Sequence, residues 1–189
     1  MNAQTTFNSA DDVLHLIERE SEKNFLPIIG PKKGKFLVEE VRKAKPLHIL
    51  EIGTLIGYSA ILMAKELEEA AEIVTIEIHR DEAELAGKNI VRANIPAKIK
   101  IITGDALQVI PTLSGPFDFA LIDAEKSEYF QYLKLIEDKL CEGAVVFADN
   151  AGMFADLMGD YLNYVRNSGK YRSQYVQVGG DGVEISVKL

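Results

Sequence analysis

From Leu47 to Ala148 the chain alternates short apolar runs with amphipathic stretches, and this alternation restricts the possible folds more than any other feature. Leu47 to Ile52, Ile73 to Ile78, Lys98 to Thr103, Phe117 to Ile122 and Ala144 to Ala148 read as strands. Between them, Tyr58 to Glu68, Asp81 to Ala93, Ala106 to Leu113 and Tyr129 to Leu140 read as helices. Regular strand-helix alternation builds a parallel sheet covered by helices on both faces, an α/β fold. The end of the chain departs from this rule. After a helical pattern from Phe154 to Asn167, the runs Tyr171 to Val178 and Val183 to Leu189 flank Gly179-Gly180-Asp181-Gly182, which predicts a hairpin and an antiparallel edge.

Open α/β sheets carry their chemistry at the carboxyl ends of the strands. Two such ends are rich in hard donors: Asp123-Ala124-Glu125-Lys126 after one run and Asp149-Asn150 after the next. A divalent, oxygen-loving ion such as Mg²⁺ takes one or two carboxylates and keeps room for substrate oxygens. Asp123, Asp149 and the amide oxygen of Asn150 suit it. Lys126 lies close enough to share the pocket, and beside a dication its ammonium form is disfavoured, which suits a lysine that accepts a proton. Either acid alone would equally suit a cap on the helix that follows. The combination with Asn150 and Lys126 favours chemistry.

Glu51-Ile52-Gly53-Thr54-Leu55-Ile56-Gly57-Tyr58-Ser59 joins the first strand to its helix. Its glycines let the backbone approach a ligand, or simply turn a tight corner. Leu55 stands where a dinucleotide fingerprint needs its second glycine, which argues against a pyrophosphate cradle and a nicotinamide oxidoreductase. Glu77 ends the second strand, where an acid can accept hydrogen bonds from both hydroxyls of a ribose, or be an exposed strand-end carboxylate. Ribose without pyrophosphate points to an adenosyl ligand, of which S-adenosylmethionine is the common one.

The remaining signals mostly exclude. At 189 residues, 47% hydrophobic and 26% charged, the chain matches one ordinary globular domain, residues 1–189, with residues 1–45 as a helical extension or lid. A net charge of −8 opposes broad nucleic-acid binding. The lone Cys141, placed at a helix end, reads as a partly buried structural thiol. Met1 to Asp12 lacks the pattern of a signal peptide and no apolar run is long enough to span a membrane, so a cytoplasmic location is expected. Asp11 to Asn24 forms an amphipathic helix capped by Ser9 or Asp11. Pro27, Gly30, Pro31 and Gly34 punctuate a loop whose Lys32, Lys33 and Lys35 form a solvated cluster, before a helix from Phe36 to Lys43. His15, His48 and His79 have no second ligand at metal spacing.

Taken jointly, Gly30-Pro-Lys-Lys-Gly-Lys35, Glu51-Ile-Gly-Thr-Leu-Ile-Gly-Tyr-Ser-Ala60, Thr75-Ile-Glu-Ile78, Gly104-Asp-Ala106, Asp123-Ala-Glu-Lys126 with Tyr129, Ala148-Asp-Asn150 and Gly180-Asp-Gly182 resemble the Mg²⁺-dependent O-methyltransferases of the catechol and caffeoyl-CoA type. The resemblance implies a Rossmann-like class I S-adenosylmethionine fold, with a seven-stranded sheet of order 3-2-1-4-5-7-6 and the last strand antiparallel. It implies that Glu51, Gly53 and Ser59 contact the methionine part of S-adenosylmethionine, Glu77 its ribose, and Asp105 and Ala106 its adenine. Asp123, Asp149 and Asn150 would hold Mg²⁺, or another divalent ion such as Mn²⁺ or Ca²⁺, and Lys126 would be the general base. Ala124-Glu125 sits nearer the caffeoyl-CoA and bacterial branch, and with no tryptophan in the chain, aromatic gates built on that residue are absent.

The acceptor implied is a small ortho-dihydroxy aromatic. A second reading keeps the enzyme and makes the acceptor a hydroxylated uridine in tRNA, motivated by Lys32, Lys33 and Lys35. A third is an S-adenosylmethionine-binding protein without catalysis, against which the Asp123, Lys126, Asp149 and Asn150 set argues. Relatives of this type are often dimers, and the helix from Asp11 to Asn24 is the candidate contact.

Overall fold

The computed structural model describes residues 9–189; Met1 to Asn8, which belong to the stretch read for a targeting signal and to the 1–45 extension, lie outside the described residues. Two helices, α1 (Ala10–Asn24) and α2 (Gly30–Ala44), precede a βα series: β1 (His48–Ile52), α3 (Tyr58–Ala64), β2 (Glu72–Glu77), α4 (Arg80–Ala93), β3 (Lys98–Thr103), α5 (Ala106–Val109) and β4 (Phe117–Ile122). Then come α6 (Tyr129–Ile136), β5 (Leu140–Ala148), α7 (Gly159–Asn167), β6 (Tyr171–Val178) and β7 (Asp181–Lys188). The sheet has seven strands in the order β3-β2-β1-β4-β5-β7-β6. Pairing is parallel from β3 to β5, and β7 runs antiparallel to both β5 and β6. This is the class I methyltransferase topology implied by the resemblance.

The alternation of side chains along the central strands divides the core in two. Ile49, Phe119, Leu121, Val145 and Phe147 pack on one face with α1, α2 and α3. Leu50, Ile52, Ala120, Ile122, Val146 and Ala148 pack on the other with α6 and α7. Both faces are apolar, which is why these strands read as continuous apolar runs. Helix α1, capped by Ser9, buries Val13, Leu14 and Ile17 in the first of these layers. No helix of the described residues is long and apolar enough to cross a membrane.

Several boundaries differ from the sequence reading. Helix α2 begins at Gly30, with Pro31 in its first turn, so Lys32, Lys33 and Lys35 are helical rather than in a loop. Helix α3 stops at Ala64 and gives way to turns before Glu68. Helix α6 ends at Ile136, and after a 3-10 turn β5 starts at Leu140; Gly143, at φ 79°, marks an irregularity as pairing steps from Phe117–Leu140 to Phe119–Val145. Cys141 therefore lies on a strand, half-buried. Residues 150–158 form turns, and only Gly159–Asn167 of the expected helix is helical.

Candidate active site

The carboxyl ends of β1, β2, β4 and β5 open into one cavity of about 880 Å³. Gly53, Ser59, Glu77, Asp105, Ala106, Asp123, Lys126, Asp149 and Asn150 all line it. Of the residues singled out in the sequence, only Glu51 stands behind the wall. It is wholly buried on β1, and Ser59 Oγ and Thr75 Oγ1 donate to its two carboxylate oxygens at 2.5 Å each. Burial pushes the Glu51 carboxyl up to about 7, against the pull of those two hydroxyls. Glu51 thus holds Ser59 in place at the wall of the cavity.

The turn after β1 is shaped by close approach. Gly53 has φ 100°, and a Cβ there would lie 2.1 Å from the backbone oxygen of Asp123. Gly53→Ala is therefore expected to cost about 3 kcal/mol, from a disfavoured backbone conformation together with overpacking. Thermal denaturation reads this directly, and an unchanged Tm would mean the turn moves freely. Leu55, the residue that breaks the dinucleotide fingerprint, adopts φ 47° and donates its N–H to Glu77 at 2.7 Å. The N–H of His79 donates to the other Glu77 oxygen at 2.9 Å. Glu77 is nearly buried and held rigidly at the end of β2, as an acid reading paired hydroxyls needs to be. His79, read in the sequence as lacking a second ligand, has two within three positions: ligand atoms of Glu77, His79 and Glu82 lie within 4.8 Å of one another. Asp105 caps α5 by accepting from Leu107 N–H at 2.9 Å, beside Ala106.

Strands β4 and β5 are neighbours, as the shared chemistry of their ends requires. Neither Asp123 nor Asp149 caps a helix: Glu125 caps the 3-10 turn after β4, and Met158 precedes α7. Lys126 Nζ donates to Asp123 Oδ1 at 2.8 Å and to Tyr129 Oη at 3.0 Å. Asp149 is 2% exposed; burial and then the charge of Asp123 raise its carboxyl above the usual range, with Lys33 pulling the other way. Asn150, at φ 62°, donates its N–H to Asp149 Oδ1 at 2.7 Å and its Nδ2 to Asp181 Oδ2 at 2.8 Å. Its Oδ1 is thereby the end turned from Asp181.

Two members of this cluster escaped the sequence reading. Lys33 is no solvated lysine: Nζ lies 2.6 Å from Asp149 Oδ1, 2.7 Å from Oδ2 and 3.1 Å from Asp181 Oδ2. A helix start at Pro31 would have revealed it, because Lys33 then shares the stripe of Leu37 and Val41, both fully buried. The basic cluster that motivated an RNA acceptor loses its middle member to this pairing. Asp181 appeared only as part of Gly180-Asp-Gly182, and nothing local in the sequence brings it to Asn150.

A donor set of two carboxylates and an amide oxygen fits a hard dication. The structure supports the fit independently, since the buried Asp149 is already straddled by a cation, the Lys33 ammonium. Among the described residues, the ion pairs of Asp123, Asp149 and Asp181 are with Lys33 and Lys126, three acids against two cations.

Comparison with known proteins identifies the family. The model of the O-methyltransferase family matches residues 5–164. The catechol O-methyltransferase of Niastella koreensis is 37% identical over 126 residues, 65% of this chain and 57% of that protein. Catechol O-methyltransferase B of Danio rerio is 34% identical over 174 residues, 85% of this chain and 65% of that protein. The chain thus spans less than two thirds of the length of these curated relatives. Among solved structures, the O-methyltransferase of Bacillus cereus in complex with SAH superposes with a TM-score of 0.86 at 27% identity, covering 95% of this chain and 91% of that one. From the strand order, the shared cavity and the matched family model, the chain belongs to the O-methyltransferase family.

Proposed function

We propose that this chain transfers a methyl group from S-adenosylmethionine to a hydroxyl of a small ortho-dihydroxy aromatic, with a divalent ion held by Asp123, Asp149 and Asn150. The observation that carries the reading is the convergence of these three residues and Lys126 on the cavity that also contains Gly53, Ser59 and Glu77. When bound, S-adenosylmethionine supplies the methyl and the dication favours the ionised form of an acceptor hydroxyl.

The chain's own residues supply position and proton handling. Glu77, fixed by two backbone N–H groups, is set to accept ribose hydroxyls, and Ser59, fixed by Glu51, faces the methionine end. Asp105 and Ala106 border the adenine end. Pro27, Ile28, Ile29, Met153 and Phe154 give the cavity apolar lining that suits an aromatic ring. Lys126 Nζ, 2.8 Å from Asp123 Oδ1, would take the hydroxyl proton as the free amine and become the ammonium. Much of the rate then comes from holding nucleophile and methyl in line.

Transfer of a labelled methyl group from S-adenosylmethionine to caffeic acid, with Mg²⁺ and then with excess chelator, tests the reading. Turnover that the chelator abolishes is the expected result. Chelator-insensitive turnover would remove the metal, and absence of transfer to any catechol would remove the acceptor class.

A further inference from the structure

We infer that Asp181 is a positioning residue for the divalent ion: it sets the orientation of the Asn150 side-chain amide, so that the oxygen rather than the nitrogen is offered as a ligand. The inference rests on the metal reading above and concerns a residue that would not itself touch the ion.

An asparagine amide is nearly symmetric in shape, and only its hydrogen bonds decide which end points where. Asn150 Nδ2 donates to Asp181 Oδ2 at 2.8 Å. A carboxylate accepts and cannot donate, so the opposite orientation would set oxygen against oxygen. Asp181 is itself held in place. Its Oδ1 accepts the N–H groups of Met153 at 2.8 Å and Gly152 at 3.2 Å, and Lys33 Nζ donates to Oδ2 at 3.1 Å.

The fold provides the register for this. Because β7 runs antiparallel to β5, its start lies alongside the residues that follow β5: Ala148 pairs with Glu184, and Ala151 N–H bonds to Gly182 O at 2.9 Å. Tyr175 closes the arrangement from β6: its hydroxyl donates to Asp181 O at 3.2 Å, and a Cβ on Gly152 or Gly182 would lie 2.4 Å from it. The reversed strand β7, set between β5 and β6, thus brings an anchor to the metal ligand, a task a parallel strand there would not perform at its starting end.

The test exchanges donor and acceptor. In Asp181→Asn, the new amide can present its nitrogen to Asn150, which then turns its own oxygen toward position 181 and away from the ion. In the double variant Asn150→Asp/Asp181→Asn the pair is restored with roles reversed: the carboxylate at 150 offers oxygen at either end, and the total charge is unchanged. Aspartate also tolerates the left-handed backbone of position 150. Mn²⁺ binding to the full chain, followed by electron paramagnetic resonance, and SAH binding by calorimetry are measured side by side.

Asp181→Asn is expected to weaken Mn²⁺ binding about 10- to 100-fold, the range for loss of an outer partner of a metal ligand. SAH affinity should stay within about threefold, and the double variant should return Mn²⁺ affinity to within about threefold of the parent. Unchanged Mn²⁺ affinity in a folded Asp181→Asn chain overturns the inference. Should that variant fail to fold, a folded, SAH-binding double variant without Mn²⁺ affinity overturns it equally. A parent chain that binds SAH but no Mn²⁺ overturns the metal reading and the inference with it.

Discussion

Asp149→Asn is expected to lower Mn²⁺ affinity by at least about a hundredfold while leaving SAH binding intact. The lower bound follows because even outer partners of metal ligands are worth about 10- to 100-fold, and Asp149 would be a direct ligand. The variant isolates function from folding. Asp149 is buried at 2% exposure, and burial and Asp123 both oppose its ionised form, so the carboxylate is held there at a cost. An acid whose folded-state pKa is raised favours folding below its unfolded value and loses that contribution as the pH rises through the folded one. Above that window the ionised Asp149 is a burden on the ion-free chain, and a neutral isostere removes it. Lys33 keeps Asp181 as a partner in the variant. Without added metal, the Tm of Asp149→Asn at neutral pH should therefore not fall, whereas the Mn²⁺-induced rise in Tm expected of the parent should vanish. A variant whose Tm still climbs with Mn²⁺ would place the ion elsewhere.

That burden was invisible in the sequence, although its bearer was not. Asp149 and Asn150 follow an apolar strand, and strand ends are where this fold class displays its reactive groups, so both were legible. The same holds for Asp123, Lys126 and Glu77, each set by the end of a strand whose apolar run is unmistakable. The strand order came from the family resemblance rather than from periodicity. What could not be read is what tertiary approach supplies. Lys33 reaches Asp149 across 116 positions and Asp181 across 148, and its inward aim hides behind two glycines and a proline that look like loop punctuation. Glu51 was legible as a strand residue but not as one screened from the cavity, because the hydroxyls that occupy it come from α3 and β2. The helical pattern from Phe154 becomes a helix only at Gly159, after turns in which Gly152 and Met153 donate their N–H groups to Asp181, a partner that lies 28 or more positions away.

Lys126 raises a question that geometry narrows and mutation can settle. Its Nζ donates to Asp123 and to Tyr129 Oη, so in the ion-free chain it acts as a counter-charge. The Tyr129 hydroxyl is no rival base: burial, then the charges of Asp123 and Asp149, push it well above its ordinary range and keep it protonated. If Lys126 takes the proton of the acceptor hydroxyl, Lys126→Ala should lower kcat by about 10²- to 10⁴-fold, with SAH and Mn²⁺ affinities changed little. Loss of the positive charge alone could also slow the reaction, and Lys126→Arg separates the two. Arginine retains the charge and the donors toward Asp123 but does not release its proton in a protein. A general base predicts that arginine fails as badly as alanine in kcat. A counter-charge predicts that arginine restores most of the rate, and that outcome would leave proton removal to solvent, with Lys126 serving to hold Asp123 in place.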